Sequence, residues 1–146
     1  MSVSTFDAAG ASARGGDKRR LRITASSVAF PGSVLMVIGG MVWGLVMAIS
    51  QDHAMRPAHA HLNLLGWVCL FMFGVFYHLH PETDRSRIAL AQVVIWIAAT
   101  LVMVAGIAIV HAGDARGELL AAIGSLVVLA DTILFGWLIT RRNKVA

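Results

Sequence analysis

An all-α fold, a bundle of four transmembrane helices with the N-terminus and the C-terminus both cytoplasmic, is what the sequence predicts, and three observations predict it. Hydrophobic residues make up 58% of the 146-residue chain and charged residues only 14%, and the mean hydropathy is +0.75. That is too apolar for a soluble domain of this size, so lipid is the expected solvent. Four apolar runs, near 28–49, 58–79, 88–110 and 119–139, are each long enough to cross a hydrocarbon core about 30 Å thick. The basic residues, finally, fall in alternate connections and in the tails. The expected organisation is a disordered basic tail over 1–27, one transmembrane domain over 28–140, and a basic tail over 141–146.

Taken in order, the first 27 residues are rich in Ser, Ala, Gly and Arg, carry Arg14, Lys18, Arg19, Arg20 and Arg22, and show no apolar period. The run at 28–49 follows. Small residues at Ala48 and Ser50 raise the alternative of a cleaved signal peptide, but the run exceeds a usual signal core of about 7–15 residues. Gln51, Asp52, His53, Met55, Arg56 and Pro57 form the first connection, 81–87 the second and 111–118 the third. Connections this short make successive helices antiparallel neighbours. Gly40 and Gly44 make a small-xxx-small pair on the first helix, and Gly66 and Gly74 lie on the second; such residues support helix packing.

Ten of the twelve Lys and Arg residues lie in the N-tail, at Arg85 and Arg87 of the second connection, and in the C-tail; only Arg56 and Arg116 lie on the other side. The bias puts the first and third connections outside a cell's inner membrane, crossed several times. The basic excess is thus a topology signal and does not point to nucleic acid. The chain leaves no room for an appended enzyme domain. Its single cysteine, Cys69, lies in an apolar run, where it reads as a small buried hydrophobe and builds neither a disulfide framework nor a multi-thiolate metal site.

Six histidines in so apolar a chain are the informative feature, because ionisable residues inside membranes tend to be functional. His53, His59, His61 and His111 belong to the outer side, and His78 and His80 to the inner. His61 and His78 are separated by about 25 Å along one helix, so they cannot bind one ion. His59 and His61 point about 200° apart on a regular helix, so one of them faces the bundle and needs a partner from another helix. His111 is the helix-end histidine at the same level. Paired axial histidines from two helices suit a six-coordinate heme, sealed by side chains such as Trp43, Met47, Trp67 and Phe71. The alternative is that these histidines sit in the interfacial zone, bonded to water and headgroups. Asp131, near the middle of the fourth run, must face the bundle, either as a protonated or Ser/Thr-paired structural carboxyl or as a proton relay or heme or histidine partner.

The stretch Arg56-Pro57-Ala58-His59-Ala60-His61-Leu62-Asn63-Leu64-Leu65-Gly66-Trp67, ending in Tyr77-His78-Leu79-His80-Pro81-Glu82, resembles the second transmembrane helix of the catalytic subunits of heme-copper oxidases and nitric oxide reductases. It resembles more closely the small oxidase subunit I-like four-helix proteins and the His-x-His segment of NnrS-type proteins. The resemblance covers 56–82. It implies heme b with His61, followed by Asn63, or else His59 as an axial ligand; the residues beside it offer His111 as the second ligand, Trp67 to seal the macrocycle, and Arg56 either as a propionate partner or as a solvated loop arginine. It further implies iron-based electron transfer or gas binding in respiration or denitrification, with a homodimer or a respiratory complex as partner. The large enzymes need about twelve helices and further metal-ligating histidines, so a stand-alone oxidase or reductase is not expected. Two alternatives stand beside this reading. One is copper binding by Met47, His53, Met55, His59 and His61, since thioether and imidazole suit Cu(I). The other is a structural or assembly partner of a respiratory membrane complex.

Overall fold

The computed structural model describes residues 23–142, and those residues are all-helical, with no strand among them. Four helices are long and apolar enough to cross a membrane: α1 (Ala25–Ser50), α2 (Arg56–His78), α4 (Arg87–His111) and α5 (Arg116–Arg142). A single turn, α3 (Pro81–Asp84), lies in the connection between α2 and α4. The expected tails lie mostly outside the described residues, at 1–22 and 143–146.

Helix α1 begins at Ala25, three residues before the apolar run, because a capping box sets its start. Thr24 Oγ1 accepts from the Ser27 amide, and Ser27 Oγ accepts from the Thr24 amide at 2.9 Å, satisfying two donors that a helix end leaves open. The next residue ties this end to the connection opposite. Ser26 donates from its amide and its hydroxyl to the two carboxylate oxygens of Asp84, at 2.7 and 2.8 Å, and both residues are buried. A carboxylate at the first turn also faces the positive end of the α1 dipole.

Helix α2 opens with Pro57 in its first turn, where a missing amide hydrogen costs nothing. From Leu62 to Cys69 it widens into a π-helical stretch. The Leu65 carbonyl there accepts both from the Leu70 amide and, at 3.0 Å, from the indole Nε1 of Trp96 on α4. The wide turn thereby becomes a cross-helix bond. Helix α4 is capped by Ser86, whose hydroxyl accepts from the Ala89 amide at 3.0 Å.

Helix α4 is the most enclosed span, with 39% of its apolar window buried, against 11% for α5. Helices α4 and α5 form a close hairpin around Gly113, whose φ of 94° is the left-handed turn that glycine adopts without strain. Gly106, Gly117 and Gly124 let the two backbones meet: a Cβ on Gly124 would lie 2.6 Å from the backbone of Met103, and one on Gly117 2.7 Å from the amide of Val110. Phe73 and Phe76 of α2, Trp96 of α4 and Phe135 of α5 pack as an aromatic cluster between the helices.

Large apolar side chains such as Leu35, Leu45, Leu126 and Ile133 point outward, as they would toward lipid. Asp131 instead faces the bundle, 3% exposed, and accepts from Gln92 at 2.6 Å. These features describe a multi-pass membrane protein.

Candidate functional site

His59 stands at the end of the second span nearest the first connection, half-buried, and its ring rests on α1. The contact depends on Gly44: a Cβ there would lie 2.9 Å from His59 Cε1. One turn along each helix, Gly40 gives the same room to the side-chain amide of Asn63. The glycine pair legible in the sequence as a packing motif is thus the seat of two polar side chains. Asn63 Nδ2 donates to the His59 carbonyl at 3.0 Å and lies 3.3 Å from both ring nitrogens. A point equidistant from the two nitrogens lies over the ring and along neither in-plane lone pair, so the amide occupies neither and the acceptor nitrogen of a neutral ring stays free to take a proton.

The pair opens into a groove of about 980 Å³ between α1 and α2, whose walls are Val37, Met41, Leu45, Ala48 and Trp67 with Gly44 between them. Its size lies at the upper end of the range usual for small-ligand sites, about 300–1,000 Å³. Met41, Leu45 and Trp67 are exposed at its mouth, so it opens sideways toward the membrane. His59 and Asn63 are its polar end.

The remaining histidines differ in one respect. His61 Nδ1 donates to the Pro57 carbonyl at 2.7 Å, His80 Nδ1 to Phe76 at 2.5 Å and His111 Nδ1 to Ile107 at 2.8 Å, each a bond to the carbonyl four residues earlier. A carbonyl can only accept, so the proton of each neutral ring sits on Nδ1. His53 binds the Gln51 carbonyl in the same sense at 3.1 Å. His61 and His111 are exposed, each turned onto its own helix. His78 is exposed at the opposite end of α2, edge-on to Phe30. Arg56 is exposed and donates from Nε to the His53 carbonyl at 3.3 Å, and neither it nor His61 lines the groove. Of the six residues singled out by sequence, the structure therefore brings His59, Asn63 and Trp67 together and leaves Arg56, His61 and His111 apart from them. Gly40 and Gly44 belong to the site as well. Only the tertiary contact reveals their role, although their spacing was visible.

A model of the OpgC protein family matches residues 20–139, which takes in the first three spans and all but the last three residues of α5. No curated protein and no solved structure matches the chain. The family match overturns the resemblance to heme-copper oxidases, nitric oxide reductases and NnrS-type proteins. With it fall heme-binding electron transfer and any role in respiration or denitrification, the respiratory-assembly alternative included. The resemblance rested on 56–82, where histidines, small residues and aromatics gather at the polar ends of an apolar helix; the match extends over the whole helical domain. Nor do three or more His, Cys, Asp or Glu side chains gather into a metal-holding group among the described residues.

Proposed function

Since the chain belongs to the OpgC protein family, we propose that it takes part in acyl modification of osmoregulated periplasmic glucans at the cytoplasmic membrane, with His59 as the proton-transfer group. The family is associated with modification of these glucans and is related to acyltransferases. The observation that carries the reading to particular residues is the His59–Asn63 pair at the polar end of the α1–α2 groove.

The distribution of Lys and Arg supports an orientation with the α1–α2 connection on the periplasmic side, which gives His59 the same compartment as the glucan. In the reaction, a glucan hydroxyl attacks the carbonyl carbon of an activated acyl donor while His59 accepts the hydroxyl proton. The new ester bond forms, the bond to the donor's leaving group breaks, and His59 returns the proton to that leaving group. Asn63 is a positioning residue, since its amide lies across the imidazole and its bond to the His59 carbonyl keeps it there. General-base assistance of this kind contributes about 10²–10⁴-fold in rate.

The test is mass spectrometry of periplasmic glucans from cells with and without the gene. The reading predicts that acyl substituents are lost from the glucans when the chain is absent and return when it is supplied. Identical acyl content in both strains would refute it.

A further inference from the structure

We propose that the indole of Trp96 latches the widened turn of α2 and is thereby a positioning residue for the His59–Asn63 pair: the extra residue it holds in the helix keeps that pair against α1. The consequence for catalysis rests on the acyl-transfer reading of His59; the geometry does not.

The side chains of α2 that meet α1 form one file along the helix. His59 rests on Gly44, Asn63 on Gly40, Gly66 on Met36, Phe71 on Phe30, Gly74 on Ala29, and His78 on Phe30 again. The steps along this file are four, three, five, three and four residues. A regular α-helix returns to the same face after three or four residues, and five of its turns use about 18. The file from His59 to His78 takes one more than that. The long step, from Gly66 to Phe71, coincides with the π-helical stretch, in which the Leu70 amide reaches back five residues to the Leu65 carbonyl.

Without the extra residue, α2 could not serve both of its neighbours. Tyr77 follows His59 by five regular turns and would share its face. In the structure His59 faces α1, whereas Tyr77 Oη donates to Gln92 Oε1 of α4 at 2.8 Å.

Trp96 is the group that fixes the wide turn from outside the helix. It is 3% exposed, so its indole N–H needs an acceptor within the bundle. The Leu65 carbonyl has two lone pairs, and they serve the Leu70 amide and, at 3.0 Å, Trp96 Nε1. That bond holds the carbonyl toward α4 at the point where the extra residue lies. The inner half of α2 is the better anchored, because Tyr77 is fully buried and Phe73 packs on Trp96 and Phe135. At the outer half His59 is half-buried and rests on a glycine. A return to regular helix is therefore taken up by the outer half, which turns about 100°, the rotation of one residue, and carries His59 and Asn63 off α1.

Disulfide cross-linking of the full chain in membranes, in a Cys69→Ala background, reads the two halves separately. A Gly40→Cys, Asn63→Cys pair reports the outer half, and an Ala29→Cys, Gly74→Cys pair, whose Cβ atoms would lie 3.2 Å apart, reports the inner. Trp96→Phe keeps a ring against Phe73 and removes the N–H. It should slow the outer cross-link about 2- to 10-fold, the effect of one hydrogen bond, and leave the inner one unchanged. Deleting Val68 removes the extra residue with Trp96 intact, and should abolish the outer cross-link while the inner one persists. An outer cross-link at the wild-type rate in both variants would overturn the latch. So would an equal slowing of both pairs in Trp96→Phe, which would make Trp96 an ordinary packing residue. With no cysteine introduced, Trp96→Phe should also acylate glucans less than wild type. Split cross-links with wild-type acylation would leave the latch standing and count against His59 as the proton-transfer group.

Discussion

Asn63 follows His59 by one turn of α2 and lies across its ring, with Nδ2 3.3 Å from each imidazole nitrogen and 3.0 Å from the His59 carbonyl. The arrangement exists because α1 carries glycine at the two positions these side chains occupy. Among the described residues His59 is thereby the histidine that lines the groove, whereas His61 and His111 fold back on their own helices.

Replacing Gly44 by alanine should push the imidazole out of this seat, since the new Cβ would lie 2.9 Å from His59 Cε1. Overpacking of this kind costs about 1–3 kcal/mol. The same substitution at Gly39, where nothing lies within 4 Å, should cost nothing measurable. Denaturant unfolding in detergent measures the difference, and glucan acylation in cells should fall for Gly44→Ala and not for Gly39→Ala.

A second glycine contrast tests the α4–α5 hairpin. A Cβ on Gly117 would run into the Gly106 carbonyl and come within 2.7 Å of the Val110 amide, both backbone atoms that cannot swing away, while Gly136 on the same helix faces open space. Gly117→Ala should therefore lower the unfolding temperature. Gly136→Ala should leave it unchanged or raise it slightly, because alanine favours a helix interior over glycine by about 0.5–1 kcal/mol. Thermal unfolding of the two variants checks the order.

The four spans were legible in the sequence because lipid requires about 20 apolar residues for each crossing, and no other arrangement satisfies so many apolar residues. The start of α1 was less so. Thr24, Ser26 and Ser27 read as the end of a polar tail, yet they cap the helix and bind Asp84, a partner 58 residues away. The polar chain from Tyr77 through Gln92 to Asp131 was half visible: Asp131 stood out as an intramembrane carboxyl, whereas Gln92 gave no sign of its partners before α4 was placed beside α2 and α5. His59, His61 and His111 looked equivalent as residue types. What separates them is which carbonyl or neighbouring helix each ring meets, and local spacing does not encode that. The resemblance over 56–82 misled for the same reason, since a helix end rich in histidine and aromatics recurs wherever an apolar span meets water.

The α4–α5 connection carries a pH dependence whose sign can be worked out. Hydrogen bonds from Arg116 hold the Asp114 carboxyl below its ordinary range, with Arg116 Nη2 2.6 Å from Oδ2. A carboxylate whose value is depressed on folding stabilises the fold above its unfolded value, and that contribution is lost as pH falls through the lowered one. Both groups meet solvent, so the contribution is small and screened by salt. Nuclear magnetic resonance titration should show Asp114 ionising at lower pH than an unpaired aspartate, and Arg116→Gln should move it part of the way back, since the backbone amide at 116 still donates to the carboxylate.

The central claim is that His59 performs the proton transfer in acyl modification of periplasmic glucans, and the most direct measurement is the acyl content of glucans from cells whose sole copy of the chain carries His59→Gln. Immunoblotting of the membranes establishes that the variants are present at equal levels. The account predicts that His59→Gln lowers acylation to the level of cells lacking the chain, while His61→Gln and His111→Gln, whose rings bind only their own helices, leave it near wild type. Wild-type acylation in His59→Gln cells would contradict the account.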